Sequence, residues 1–93
     1  MENIKTIRRE YRFTGRVQGV GFRCRARYAA QGLGLTGWVK NEWDGSVLME
    51  VQGREAAMAE LLKMINAGTY IMIDRIQCRE LPLEEHEYGF HVR

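Results

Sequence analysis

Two segments of this sequence carry a single apolar stripe at helical spacing, and short stretches of period-two alternation bracket each of them. Phe22, Ala26, Ala29, Ala30 and Leu33 follow the series i, i+4, i+7, i+8, i+11 along one helix face, and Gly32 and Gly34 can supply a left-handed cap. In residues 54–68, Met58, Leu61, Leu62 and Ile65 make a second stripe, with Glu55 in its first turn and Gly68 as its stop. Strands are predicted at 7–13, with Tyr11 and Phe13 on one face and Gly15 ending it, at 36–41, and at 46–52, where Val47, Met49 and Val51 face one way. Two more are predicted at 71–81, before Pro82, and at 88–92, and Asp44-Gly45 marks a hairpin.

A helix with one stripe can bury only one face. The order βαββαβ therefore implies an α+β, ferredoxin-like two-layer sandwich, with both helices on one face of a mainly antiparallel sheet and a short extra C-terminal strand. The other sheet face is expected to be open or shielded by residues near the C-terminus. At 93 residues the chain has room for one domain, taken as residues 1–93. A domain this small buries about 60 to 70% of its unfolded surface, enough to fold without staples. No apolar run reaches the roughly 18 to 20 residues of a membrane span, and the first residues, MENIKTIRREYRF, lack the apolar stretch of a secretory leader, so a cytoplasmic protein is expected. Cys24 and Cys78 stand far apart with no CxxC and no His pair nearby; buried or inert thiols are expected, with no metal site and no cofactor.

Charge is unevenly placed. Residues 1–30 hold Lys5, Arg8, Arg9, Arg12, Arg16, Arg23, Arg25 and Arg27 against Glu2 and Glu10, a local excess of +6, while the whole chain is only +2. Arginine's planar fork suits bidentate contact with phosphate or carboxylate, so an anionic ligand competes with a merely solvated basic face.

The chemistry concentrates in residues 15–23, GRVQGVGFR, between the first strand and the first helix. Gly15, Gly19 and Gly21 permit a tight turn whose backbone N–H groups are unhindered. Successive N–H groups in a curled loop, together with a helix start, make an anion-binding concavity. Arg23 falls in the first helical turn beside the stripe, where it can fold over an anion held in the loop. There is no GxxxxGK[ST] for a nucleoside triphosphate, and Cys24 stands where a dinucleotide fingerprint needs its third glycine.

GRVQGVGFR, followed some fifteen residues later by GWVKN, resembles the signature of the acylphosphatase family. The likeness runs on through the Asp-Gly hairpin, the second helix and the terminal F-x-V strand, nearly the whole chain. It implies a metal-independent hydrolase of the carboxyl-phosphate bond of small acyl phosphates. By position, Arg23 would bind the phosphate, Asn41 would orient the attacking water, and the backbone of Arg16, Val17, Gln18, Gly19, Val20 and Gly21 would form the cradle. Cys24, Arg25 and Arg27 depart from the pattern and leave substrate preference open. The chemistry is coherent without a general acid: the leaving carboxylate has a conjugate acid of pKa about 4 and departs unprotonated at neutral pH. The phosphoryl transition state is loose, so positioning and electrostatics supply most of the catalysis.

Several residues have plainer alternatives. Asn41 alone could be a strand-end turn residue. His86 and His91 have no partnered acid at a telling spacing and are expected at the surface or an edge strand. Glu42, Trp43 and Asp44 are expected to shape the hairpin, and Trp38 and Trp43 to be core rather than ligand-stacking. An RNA-recognition module shares the element order, but the third strand, SVLMEVQ, has no aromatic to stack bases, so no nucleic-acid partner is expected. A non-catalytic sensor of acyl or carbamoyl phosphate keeps the loop without the chemistry, and stays open beside a monomeric enzyme.

Overall fold

The computed structural model describes residues 5–93. Residues 1–4, part of the stretch read above for a leader, lie outside the described residues. Seven elements follow in order: β1 (Thr6–Arg16), α1 (Phe22–Gly32), β2 (Thr36–Asn41), β3 (Val47–Arg54), α2 (Glu55–Asn66), β4 (Met72–Leu81) and β5 (Phe90–Val92). They form one sheet of order β4-β1-β3-β2-β5, antiparallel except where β5 runs parallel to β2. The expected α+β sandwich and its extra strand are present.

Alternation decides which residues meet the helices. Ile7, Tyr11 and Phe13 of β1, Val39 of β2, and Val47, Met49 and Val51 of β3 are buried with Phe22, Ala26, Ala29 and Ala30 of α1 and Met58, Leu61 and Ile65 of α2. Phe13 pairs with Val47 and Tyr11 with Met49 across the strands. Each large side chain buried here contributes about 1.5–3 kcal/mol of transfer free energy. Gly34 at φ +71° closes α1. Its N–H donates to Gln31 O and the Leu35 N–H to Ala30 O, the paired bonds of a Schellman cap.

Three expectations are corrected. Gly15 does not end β1: the strand runs on to Arg16 through a register shift between Thr14 and Gly15. There Gly15, at φ +126°, lets β4 approach so closely that a Cβ would stand 2.3 Å from Met72 O, so only glycine fits. Both cysteines are exposed rather than buried, Cys78 because β4 lies at the sheet edge and Cys24 because it sits off the α1 stripe. Of the two tryptophans, Trp38 is buried as expected, though on the sheet face away from the helices, and only Trp43 departs. Trp43 is 97% exposed at the hairpin tip. Trp38 alternates with Val39 onto the opposite sheet face, buried there with Arg93 4.4 Å and Lys40 5.5 Å from its ring.

That opposite face closes on a buried cation. Arg8, 2% exposed, bonds Glu50 at 3.0 Å and Glu87 at 2.7 Å, and Gln52 exchanges hydrogen bonds with the Glu84 backbone. The segment after Pro82 is thus drawn across the sheet. Burial alone would push the Glu87 carboxyl up, but hydrogen bonds from Arg8 and Thr36 and the charges of Arg8 and Arg93 outweigh it and hold it below the usual carboxylate range.

Candidate active site

The loop from Val17 to Gly21 is held at three places. Val17 and Phe22, at its two ends, are both buried, and the Phe22 ring tilts against Phe13 of β1 at a centroid distance of 4.9 Å. Between them the Gln18 amide donates to Glu42 O at 2.7 Å and Ser46 O at 2.9 Å, pinning the loop to the hairpin that follows Asn41. The hairpin is itself locked. The Ser46 N–H and hydroxyl both donate to Asp44 Oδ1, and Arg12 donates to the Ser46 hydroxyl at 2.8 Å. Those Ser46 bonds hold the exposed Asp44 carboxyl below its ordinary range, the mark of a turn-shaping acid.

With its ends fixed, the loop turns its backbone outward. Gly19 and Gly21 have φ of +72° and +80°, and nothing lies within 4 Å of where a Cβ would stand on either. Gly21 is the N-cap of α1; no side chain caps the helix and no acid lies in its first turn. The first helical bond runs from the Arg25 N–H to Gly21 O, so among the described residues the N–H groups of 18–24 find no backbone acceptor. Four orphan donors at a helix start amount to about half a positive charge.

Arg23 and Asn41 meet on this loop. Together with Val17, Gly19, Gly21, Phe22 and Cys24 they line a cavity of about 150 Å³. The Arg23 guanidinium is partly exposed and is steadied by one hydrogen bond, 3.3 Å to Arg93 O. The Asn41 Oδ1 is buried with no hydrogen-bond partner among the described residues. Such an orphan acceptor costs about 1–3 kcal/mol, which a ligand or water donating to it would recover. The basic third of the chain divides here: Arg8, Arg9 and Arg12 have acidic partners, whereas Arg16, Arg23, Arg25 and Arg27 form no ion pair among the described residues.

Of the other predicted cradle residues, Val20 is half-buried against the core, Arg16 is exposed at the end of β1, and the Gln18 side chain is spent on the hairpin. Phe22 and Cys24 line the cavity without having been singled out for it; their place beside Arg23 in the first turn was the available signal. His91 lies on the edge strand β5 against Tyr88 O and His86 is exposed, both away from the cavity.

The acylphosphatase family model matches residues 9–92. The chain belongs to the acylphosphatase family. An acylphosphatase of Clostridium perfringens is 40% identical over 85 residues, 90% of this chain and 96% of that protein. Among solved structures, the acylphosphatase of Bacillus subtilis superposes with a TM-score of 0.86 at 31% identity, covering 94% of this chain and 98% of that one. HypF of T. kodakarensis reaches 0.80 at 28% identity, but the match spans only 12% of that much longer chain. The acylphosphatase fold thus also occurs as a small part of larger proteins, and function has to be argued from the site.

Proposed function

We propose that the chain is a metal-independent acylphosphatase that cleaves the carboxyl-phosphate bond of a small acyl phosphate, with Arg23 and Asn41 as catalytic residues and the backbone of residues 16–21 as the phosphate cradle. The carrying observation is the single cavity that brings Arg23, Asn41 and the bare start of α1 together. Arg23 and the loop N–H groups bind the three phosphoryl oxygens and stabilise the charge they gather in the transition state. Asn41 accepts a hydrogen bond from water through Oδ1, holding it in line behind phosphorus without acting as a base. Water oxygen bonds to phosphorus as the phosphorus–carboxylate bond breaks. The electron pair leaves on the carboxylate, and the water proton passes to a phosphate oxygen, giving a carboxylate and inorganic phosphate. The positive potential comes from Arg23 and the N–H groups, which is why no metal is called for.

A small-molecule substrate is favoured over nucleic acid because the face of β3 turned away from the helices carries Leu48, Glu50 and Gln52, is covered by the Glu84–Glu87 segment, and offers no stacking platform. The same reading takes residues 1–93 as one domain and the enzyme as a cytoplasmic monomer. No helix among the described residues is long and apolar enough to cross a membrane. The test is benzoyl phosphate turnover in the presence of a chelator, with inorganic phosphate as competitor. Expected is phosphate-inhibited hydrolysis that the chelator leaves alone, and Asn41→Ala should lower kcat more than it weakens phosphate inhibition. Phosphate binding without turnover would instead leave a sensor.

A further inference from the structure

Next to the phosphate cavity lies a second, larger depression of about 420 Å³, and the two share Gly21 and Cys24 as a common wall. Val20, Tyr28, Ile71 and Tyr70 line it, and the floor is the turn at Gly68, against which the Arg25 stem and Ile71 pack so closely that a Cβ there would stand 2.7 Å from Ile71 Cδ1. Its one charged lining residue is turned aside: Arg25 Nε donates to Met64 O at 2.6 Å, which ties the head to α2 and leaves the methylene stem toward the groove. Tyr28 and Tyr70 are 79% and 72% exposed, two aromatic rings free to meet a ligand on one groove.

We propose that this groove takes the acyl group of the substrate and selects acyl phosphates bearing an aromatic or comparably bulky apolar acyl group over acetyl or carbamoyl phosphate, an inference that rests on the hydrolase reading above. In-line displacement puts the leaving carboxylate on the side of phosphorus away from the attacking water. Asn41 lines the phosphate cavity but not the groove, so water at Asn41 and an acyl group in the groove reach the phosphate from different directions. Continuity through Gly21 and Cys24 lets one molecule fill both. Tyr28 and Tyr70 then act as specificity residues, covering the acyl ring with little rotamer cost, as tyrosines do at binding sites.

The test compares kcat/KM for benzoyl phosphate with that for acetyl phosphate in the wild type, in Tyr28→Ala/Tyr70→Ala, and in Tyr28→Phe/Tyr70→Phe. Intrinsic differences between the two acyl phosphates cancel in the change of ratio. In the double alanine variant the benzoyl-to-acetyl ratio should fall about tenfold or more, mainly through KM for benzoyl phosphate, as expected for loss of two apolar contacts. The double phenylalanine variant should keep the wild-type ratio, and inhibition by inorganic phosphate, which has no acyl group, should shift by less than about twofold in either. Both side chains are exposed, so folding is not at stake, and Tyr88→Ala, an exposed ring elsewhere, serves as control. An unchanged ratio in the alanine variant, or an equal fall in the phenylalanine one, overturns the groove while leaving the hydrolase intact. If the wild type cleaves neither acyl phosphate, the hydrolase reading fails and the groove with it.

Discussion

The two helices lie side by side on one face of the sheet, each with one buried stripe, yet they begin in opposite ways. α2 starts after Arg54 in extended conformation and carries Glu55 in its first turn, where the carboxylate meets the helix dipole and Arg9 at 2.7 Å. α1 starts after a left-handed Gly21, with no acid in its first turn, and Arg23, which forms no ion pair among the described residues, adds to the positive end. The arginines divide the same way, since Arg8 is enclosed by two carboxylates and Arg23, among the described residues, by none. A helix start that serves only the fold is neutralised from within the chain. On the proposed function, one that leaves its donors unused is kept for an anion from outside.

Removing the cation from the bare end should have the largest effect: Arg23→Ala is expected to lower kcat/KM for an acyl phosphate on the order of a hundredfold or more with unchanged thermal unfolding, by the scale of losing one oxyanion donor. Removing the enclosed cation should do the reverse. Arg8→Met strands Glu50 and Glu87, so urea unfolding should show a loss of about 2 kcal/mol with kcat/KM unchanged. The Glu87 carboxyl is held below its ordinary 4.5 in the fold, so its contribution is present above that pH and is lost as pH falls through the lower, folded value. The wild-type Tm should accordingly drop more steeply on acidification below about 4.5 than that of Glu87→Gln.

Copying the α2 arrangement into α1 sharpens the contrast. Cys24→Glu places an acid in the first turn of α1, so phosphate inhibition and turnover should weaken about tenfold while the helix gains about 0.3–1 kcal/mol, seen as an unlowered Tm. An intact activity in that variant would mean the helix start is not the anion site. The smallest effect belongs to Glu55→Gln, a loss of about 0.3–1 kcal/mol by denaturant titration with kinetics untouched.

Much of this was legible in the sequence because it is local. The stripe Phe22, Ala26, Ala29, Ala30, the cap at Gly34 and the run Val47, Met49, Val51 each depend on neighbours within a few residues, and each lies where spacing put it. The meeting of Arg23 with Asn41 was legible only through a whole-chain resemblance, because β3 separates β1 from β2 and nothing in the spacing brings residue 41 back to residue 23. What was not legible depends on distant partners. Gly15 reads as a stop until β4 is seen crossing it, and the burial of Arg8 depends on Glu87, 79 residues on. The exposure of the cysteines was not legible because burial follows from what covers a strand edge or helix end, which residue type does not encode.

The most direct measurement follows the backbone amides by NMR during titration with inorganic phosphate. Shifts confined to residues 18–24 and the Asn41 side chain, with the amides of 55–58 silent, are the predicted result. Shifts at the start of α2 as large as those at α1, or phosphate bound with residues 18–24 undisturbed, would contradict the assignment of the bare helix start as the phosphate site.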